Sequence, residues 1–524
     1  MSTTHRRGRP HKRWYAWAAA ACATAVALPL YAAQGQEETR GREGSRTLTW
    51  QPCKGHSDAQ CTTLNLPIDW SSRGKTFGLK VVRRKATNPS KRIGVLLINP
   101  GGPGGSGVDM ALKSSFPAEL RERFDIVGFD PRGIGRSHPI TCSKELINKV
   151  PQELPRNQAE FAHLASYNRK LREDCRKHSG PLFDHADTLN VVRDMDALRA
   201  ALGEQKINYY GHSYGTLIGQ QYAQRYGRHV RSMVLDSNMD HSLGTTKLAT
   251  TAAAAVEDSL TAFAQWCKTT STCSLHGQDV LGRWNRLLSS ADRSQLSDAD
   301  TPVSVDDLIS RAYDAFAAPE WPAFAKWLNS LHTGTPHRQA HPSHTGPATG
   351  TEAHVRPAVF CQDWQTRIRD YQDLRALVQA EQAAAPHART SPEMREAILG
   401  CVGWPKRTNN PQRPLHIGPD APTILLVNAR HDPTTGYAWA RNVHRQAPHK
   451  TRLLTYEGSG HGALVTPCTT HAMTQYLLHL TLPPQRSCPA PQVSGNDNGP
   501  PPSTRQQPGQ SGRPSSATTA GHPA

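Results

Sequence analysis

At 524 residues the chain has room for one large elaborated domain or two to three ordinary ones, and a hydrophobic content of 37% is too low for all of it to enter a core. A formal charge of +18 suits an acidic wall or nucleic acid, but no nucleic-acid-binding module accompanies it, so the charge reads as an Arg-rich surface of an exported protein. No Cys-x-x-Cys occurs and the 25 histidines lack zinc-ligand spacing, so neither a metal centre nor a cofactor is expected.

Arg6, Arg7, Arg9, Lys12 and Arg13 precede an apolar run from Ala16 to about Ala33, with no acid before Glu37. Pro29 breaks the run, and Ala33-Gln34-Gly35 supplies small residues. The pattern predicts a cleaved export signal over 1–35 and a flexible lead-in over 36–49. The alternative is an uncleaved membrane anchor; the short, alanine-rich run favours cleavage, which leaves no stable anchor. Arg6-Arg7 matches a twin-arginine signal poorly, so the export route stays open. Apart from Cys22, ten cysteines remain, an even number that fits disulfides in an oxidising, extracellular setting. Their spacing suggests local pairs: Cys53 with Cys61, Cys142 with Cys175, Cys267 with Cys273, Cys361 with Cys401, and Cys468 with Cys488.

Residues 50–240 read as the first part of a core. Trp50 to Arg84 suggests one or two hairpins, with Leu79–Val82 as a strand. Ile93–Asn99 is a continuous apolar run, as expected of a strand buried on both faces. It enters Pro100-Gly101-Gly102-Pro103-Gly104-Gly105-Ser106-Gly107, a turn that exposes backbone N–H groups. Phosphate cradling is the rival reading of this turn, but the Gly-Lys-Ser/Thr ending of a P-loop is missing. Phe124–Asp130 is a second buried strand, and Ser137 in the following turn is read as structural. Thr188–Leu202 has helical periodicity that ends at Gly203. A strand at Ile207 then runs into Gly211-His212-Ser213-Tyr214-Gly215, followed by a helix carrying Leu217, Ile218, Tyr222 and Ala223 at helical spacing.

Val230–Leu235 is a further strand, after which alternation stops. Residues 241–414 read as a mainly helical lid, with helices over Thr250–Lys268 and Asp306–Ala318 and a polar loop over 333–350. Alternation resumes over 415–488, with strands at Pro422–Asn428 and Thr451–Tyr456 and a helix at Thr435–Gln446. The tail, 489–524, is Pro-, Ser-, Gly- and Gln-rich and is expected to be disordered. Strand–helix alternation interrupted once predicts an α/β fold: a mostly parallel, doubly wound sheet with a lid inserted between two strands.

A serine hydroxyl needs a base to become a nucleophile, and a strained strand-to-helix elbow presents it to one. Both partners must come from loops at the carboxyl ends of strands. Asp432 and His461 each follow such a strand, in the order Ser213, Asp432, His461. Asp236 competes with Asp432 as the acid. His212 and His431 are read as structural, the first because so sharp a turn points it away from Ser213. The expected chemistry has Ser213 attacking a carbonyl, His461 taking its proton and Asp432 fixing the imidazole. The N–H groups of Tyr214 and Gly102 would hold the oxyanion.

Taken together, Asn99-Pro100-Gly101-Gly102-Pro103-Gly104, Asp130-Pro131-Arg132-Gly133-Ile134-Gly135-Arg136-Ser137, Gly211-His212-Ser213-Tyr214-Gly215-Thr216 and Gly460-His461-Gly462 resemble the α/β-hydrolase fold. More narrowly, they resemble the secreted tripeptidyl aminopeptidases of actinobacteria, close to the prolyl aminopeptidases. The resemblance covers about Trp50 to Cys488. It implies a serine exopeptidase acting on peptides with a free N-terminus. Pro100 stands where prolyl aminopeptidases carry the His of His-Gly-Gly-Pro-Gly, so strict prolyl specificity is not implied. An aminopeptidase needs a carboxylate for the substrate amine, and Asp363 in the lid is the expected one. A carboxylesterase with the same triad and a non-catalytic wall-binding protein are the alternatives; the oligomeric state is left open.

Overall fold

Alternation of side chains across buried strands separates the interior into two layers. The computed structural model describes residues 48–72, 74–151, 153–334, 349–405 and 407–491. The expected signal, nearly all of the lead-in, most of the polar loop and the tail beyond 491 lie outside the described residues. Ten strands form the main sheet among these residues: β1 (Gln51–Cys53), β2 (His56–Pro67), β3 (Thr76–Arg84), β4 (Gly94–Asn99), β5 (Phe124–Phe129), β6 (Ile207–His212), β7 (Val230–Asp236), β8 (Ile424–His431), β9 (Thr451–Ser459) and β10 (Ser487–Cys488). Their order is β1-β2-β3-β5-β4-β6-β7-β8-β9-β10. Strands β1 to β3 pair antiparallel, β3 joins β5 antiparallel, and from β5 to β10 the neighbours run parallel.

Val95 and Leu97 of β4 face one layer with Tyr209, Met233 and Leu426, while Leu96 and Ile98 face the other with Tyr210, Val234 and Leu425. Helices α2 (Thr188–Ala201), α3 (Tyr214–Tyr226) and α9 (Tyr437–Gln446) cover the first face. Helices α1 (Gly107–Lys113) and α10 (Pro467–His479) cover the second. With both faces covered, apolar residues are favoured at successive positions of a strand, as in the runs of β4 and the first half of β8.

The chain leaves the sheet after β7 and returns at β8. Between them lie α4 (Thr245–Thr269), α5 (Val305–Ala317), α6 (Arg356–Asp363), α7 (Tyr371–Ala384) and α8 (Pro392–Leu399). This insertion has its own aromatic core, in which Phe263 packs against Phe316, Trp321 and Phe324. A second, smaller cover comes from within the core sequence. Helix Gln158–Ser179, not anticipated from the sequence, packs Phe161 and Leu164 against Leu374 and Val402 of the lid. Most of its surface is polar, so apolar periodicity does not announce it.

Local sequence explains several junctions. The buried Arg132 guanidinium grips Asp194 of α2 through two hydrogen bonds (2.6 and 2.7 Å) and donates to the carbonyls of Pro67, Ile68 and His185. Ser137 is buried and its hydroxyl accepts from the Lys80 N–H at 2.8 Å, a structural role. Five disulfides join the expected local pairs. Among the described residues no helix is long and apolar enough to cross a membrane.

Cys361–Cys401 closes the longest separation of the five, 40 residues, and anchors α6. In a chain-entropy model a loop of that length is worth about 4 kcal/mol. Replacing both cysteines with Ala is expected to lower unfolding free energy by roughly 2–4 kcal/mol, measured by equilibrium urea denaturation; an unchanged midpoint contradicts it.

Candidate active site

Strand β6 ends at His212, and the next residue, Ser213, has its backbone forced to φ 56° and ψ −124°. A non-glycine residue holds such a conformation only when its surroundings impose it. Here the Ser213 N–H donates to the Asp236 carbonyl at 2.9 Å, and Thr216 returns both its N–H (2.8 Å) and its hydroxyl (2.6 Å) to the Ser213 carbonyl. The turn after β4 presses against this elbow. A Cβ on Gly215 would lie 2.7 Å from the Asn99 carbonyl oxygen, and one on Gly101 would lie 2.6 Å from the Tyr214 nitrogen. No side chain fits at either place.

β4 and β6 are neighbours, yet β4 leads on to β5 on its other side. Their carboxyl ends therefore flank the crevice where a doubly wound sheet binds its ligand. In that crevice the Asn99 side-chain oxygen takes the Gly101 N–H at 2.9 Å. The N–H groups of Gly102 and Tyr214 remain without a protein partner among the described residues. These are the two donors expected for an oxyanion.

Asp432 and His461 follow β8 and β9, which lie two and three places from β6. Asp236 explains how the imidazole reaches back. Its carboxylate, at the end of β7, accepts the Ala463 N–H at 2.9 Å and the Tyr210 hydroxyl at 3.1 Å. The loop after β9 is thereby drawn across β8 toward the elbow. The lid holds the other side of the loop, because the His461 N–H donates to the Ala317 carbonyl at 2.8 Å. His461 Nδ1 then lies 3.1 and 3.2 Å from the two oxygens of Asp432. Asp432 also accepts the N–H groups of Thr434 and Thr435 and the Thr435 hydroxyl. The rival acid, Asp236, spends its carboxylate on the loop rather than on the imidazole.

The Ser213 hydroxyl makes no hydrogen bond among the described residues. The His461 ring instead leans on that of His212, centroids 4.6 Å apart. Hydrogen bonds between nucleophile and base are often long before substrate binds and tighten in the complex. Burial, then the neighbouring His461, push His212 down to about 3, so it stays uncharged. His431 pairs with Asp258 of α4 at 2.7 Å and ties lid to sheet.

The structure does not leave Asp363 open to a substrate amine. It is fully buried, and its two oxygens accept from the Thr188 N–H and hydroxyl, the Tyr214 hydroxyl and the Asn410 amide. A different lid carboxylate acts on the imidazole: the charge of Glu393 is felt by His461. Glu393 of α8 accepts from Arg356 at 2.5 Å and from the Tyr313 hydroxyl, which lies 2.8 Å from the Thr434 hydroxyl. About a quarter of the Glu393 side chain, 27%, remains accessible. Burial alone would raise its pKa, but the Arg356 charge and the Tyr313 hydrogen bond outweigh burial and keep it ionised. Glu393, Arg356 and Tyr313 went unread in the sequence because they belong to no motif and meet only when the lid folds. The Asp432-Pro433-Thr434-Thr435 turn was the one local signal available. Among the described residues no group of three or more His, Cys, Asp or Glu side chains converges as metal ligands would.

A family model described as the alpha/beta hydrolase fold matches residues 94–467. The tripeptidyl aminopeptidase of Streptomyces coelicolor is 30% identical over 497 residues, covering 85% of this chain and 86% of that protein. Serine protease Hip1 of Mycobacterium tuberculosis is 29% identical over 515 residues, covering 89% and 96%. Carboxylesterase B of the same species is 32% identical over 459 residues, covering 81% and 85%.

The Asp432–His461 pair has a measurable signature. Burial disfavours the imidazolium, but the charge and hydrogen bond of Asp432, with the charges of Glu393 and Asp236, raise the His461 pKa above 6.5. Burial likewise opposes the Asp432 carboxylate, but His461 and the Thr434 and Thr435 donors lower its pKa below 3.8. The histidine part of the pair's stability is therefore full below pH 6.5 and lost as pH rises through the raised value. The carboxylate part is full above 3.8 and lost as pH falls through the lowered one. An NMR titration of the His461 imidazole should give a midpoint above 6.5 that drops in Asp432→Asn; a midpoint indifferent to that substitution contradicts the pairing.

Proposed function

Since this chain belongs to the tripeptidyl aminopeptidase family of α/β-hydrolase-fold serine peptidases, we propose that it is exported and removes short peptides from free N-termini through an acyl-enzyme on Ser213. One observation carries the catalytic part: a strained serine elbow stands beside two unpartnered N–H groups and a carboxylate-bound imidazole. His461 takes the Ser213 proton as the hydroxyl attacks the peptide carbonyl. Asp432 holds the Nδ1 proton, which leaves Nε2 as the base. The oxyanion is held by Gly102 and Tyr214, each such donor being worth about 3 kcal/mol of barrier. His461 then protonates the departing amine; water, giving its proton to the same base, attacks the acyl carbon, and the Ser213 oxygen leaves and is reprotonated as the peptide is freed.

The free N-terminus is met by Glu393. Its two partners leave carboxylate lone pairs unused, about a quarter of the side chain is accessible, and Arg356 keeps it charged, so an α-ammonium would join an existing ion pair. Export rests on the basic–apolar–small pattern of residues 1–35 and on five disulfides, which persist in oxidising compartments. The 32% identity to carboxylesterase B makes ester hydrolysis the second reading.

Peptidyl chromogenic amides with free and acetylated N-termini, assayed beside simple esters, separate these readings. Free-amine peptides should be cleaved and acetylated ones poorly; equal rates contradict the exopeptidase reading, and activity on esters alone assigns the esterase. Ser213→Ala should lower kcat by about four to six orders of magnitude. Glu393→Gln should raise KM for free-amine peptides roughly 10- to 100-fold, the loss of one charged hydrogen bond, and leave acetylated substrates nearly unaffected.

A further inference from the structure

Asp363 is unusual among the buried acids in joining three stretches of chain. Its Oδ1 accepts from the Thr188 N–H at 2.9 Å and from Asn410 Nδ2 at 2.7 Å. Its Oδ2 accepts from the Thr188 hydroxyl at 2.5 Å and from the Tyr214 hydroxyl at 2.6 Å. The donors belong to the start of α2, the returning arm of the lid, and the residue that follows Ser213. Tyr214 is thus held at both ends. Its N–H faces the corner where an oxyanion forms, and its hydroxyl is bound to a carboxylate of the lid.

The Tyr214 ring is buried in the core beneath the lid and is also tethered through its hydroxyl. It rests on Trp364 with centroids 5.9 Å apart. Toward the turn after β4 it borders a cavity of about 20 Å³, shared with Gly101, Gly104, Thr188 and Val359. A directional hydrogen bond at the ring's far end narrows the orientations that packing allows. The tether is itself firmly seated: Cys361–Cys401 staples α6, and His241 Nε2 lies 2.6 Å from the Asp363 carbonyl oxygen.

We propose that Asp363 is a positioning residue for the oxyanion donor: by holding the Tyr214 hydroxyl it aims the Tyr214 N–H, and so makes the oxyanion site depend on a seated lid. The inference rests on the serine-peptidase reading above. Burial first, and the Asp363 charge second, push the Tyr214 phenol well above its usual pKa, so it remains a donor. The Asp363 carboxyl is pushed up to about 7, by burial first and by the charge of Asp187 second, against the pull of its donors. Its other titratable neighbour, His241, is held neutral, since burial takes it down to about 4. A protonated Asp363 keeps all four partners only if the Thr188 or the Tyr214 hydroxyl turns round to accept its proton.

Tyr214→Phe removes only the hydroxyl, and Asp363→Asn keeps the shape while losing the charge and one acceptor. Competent sites are counted by fluorophosphonate titration and rates expressed per titrated site. Both variants should lose about 10-fold in kcat, less than the 10²–10³ that follows complete loss of a donor. Peptide KM should stay within about twofold, and affinity for a peptidyl trifluoromethyl ketone, which places an oxyanion in the same corner, should fall by the same factor as kcat. The double variant should be no worse than either single one. Unchanged kcat per site and unchanged ketone affinity in Tyr214→Phe overturn the proposal, whatever happens to thermal stability; that variant alone decides if Asp363→Asn does not fold. Failure of fluorophosphonate to label Ser213 in the unaltered enzyme overturns the catalytic reading itself, and this inference with it.

Discussion

The backbone of Ser213 sits where a serine does not choose to be, and much of the molecule is arranged to keep it there. The Asp236 carbonyl holds its N–H, Thr216 holds its carbonyl, and the turn after β4 closes on the elbow at glycine-only distances. Strain of this kind persists only when neighbours over-determine it. The same contacts press the turn that carries Gly102 against Tyr214, and neither N–H has a protein partner among the described residues. In the proposed reading, nucleophile geometry and oxyanion geometry are therefore one constraint.

The lid is more than a roof over this arrangement. It has its own aromatic core, so it moves or holds as a body. Bonds from that body reach the site, among them the Ala317 carbonyl to the His461 N–H, Asp258 to His431, and Asp363 to the Tyr214 hydroxyl. Glu393 and Tyr313 extend a polar chain from the Asp432 turn into the cleft. A chain whose lid misfolded would keep its sheet and lose the alignment of the groups above it.

Four acids near the cleft show how environment assigns work to one functional group. Asp432, beside an imidazole and two N–H donors, is lowered despite burial. Asp236, bound by one N–H and one phenol, is pushed up to about 6, burial being the main cause. Asp363 rises further because Asp187 adds its charge to the burial. Glu393 is kept ionised by an arginine. Charge near the imidazole is thus supplied by groups whose partners differ, although all are buried or nearly so.

The sequence by itself determined the layered sheet. Apolar-rich strands at β4, β5, β7 and β8 call for cover on both faces, and the single long break in alternation requires an insertion there. The position of Ser213 at an elbow, and of Asp432 and His461 after later strands, was legible because each sits beside a strand end that local pattern marks. The ten paired cysteines were legible from spacing because each bond is local. Only the tertiary structure decided which carboxylate does what. Asp236 and Asp432 look alike in sequence, yet one anchors a loop and the other meets the imidazole. Asp363 looked like a substrate ligand and is instead saturated by four donors from three distant segments, while Glu393 had no local mark at all. The physical reason is that a carboxylate's role is set by the donors around it, and those donors come from stretches brought together only by packing the lid onto the sheet.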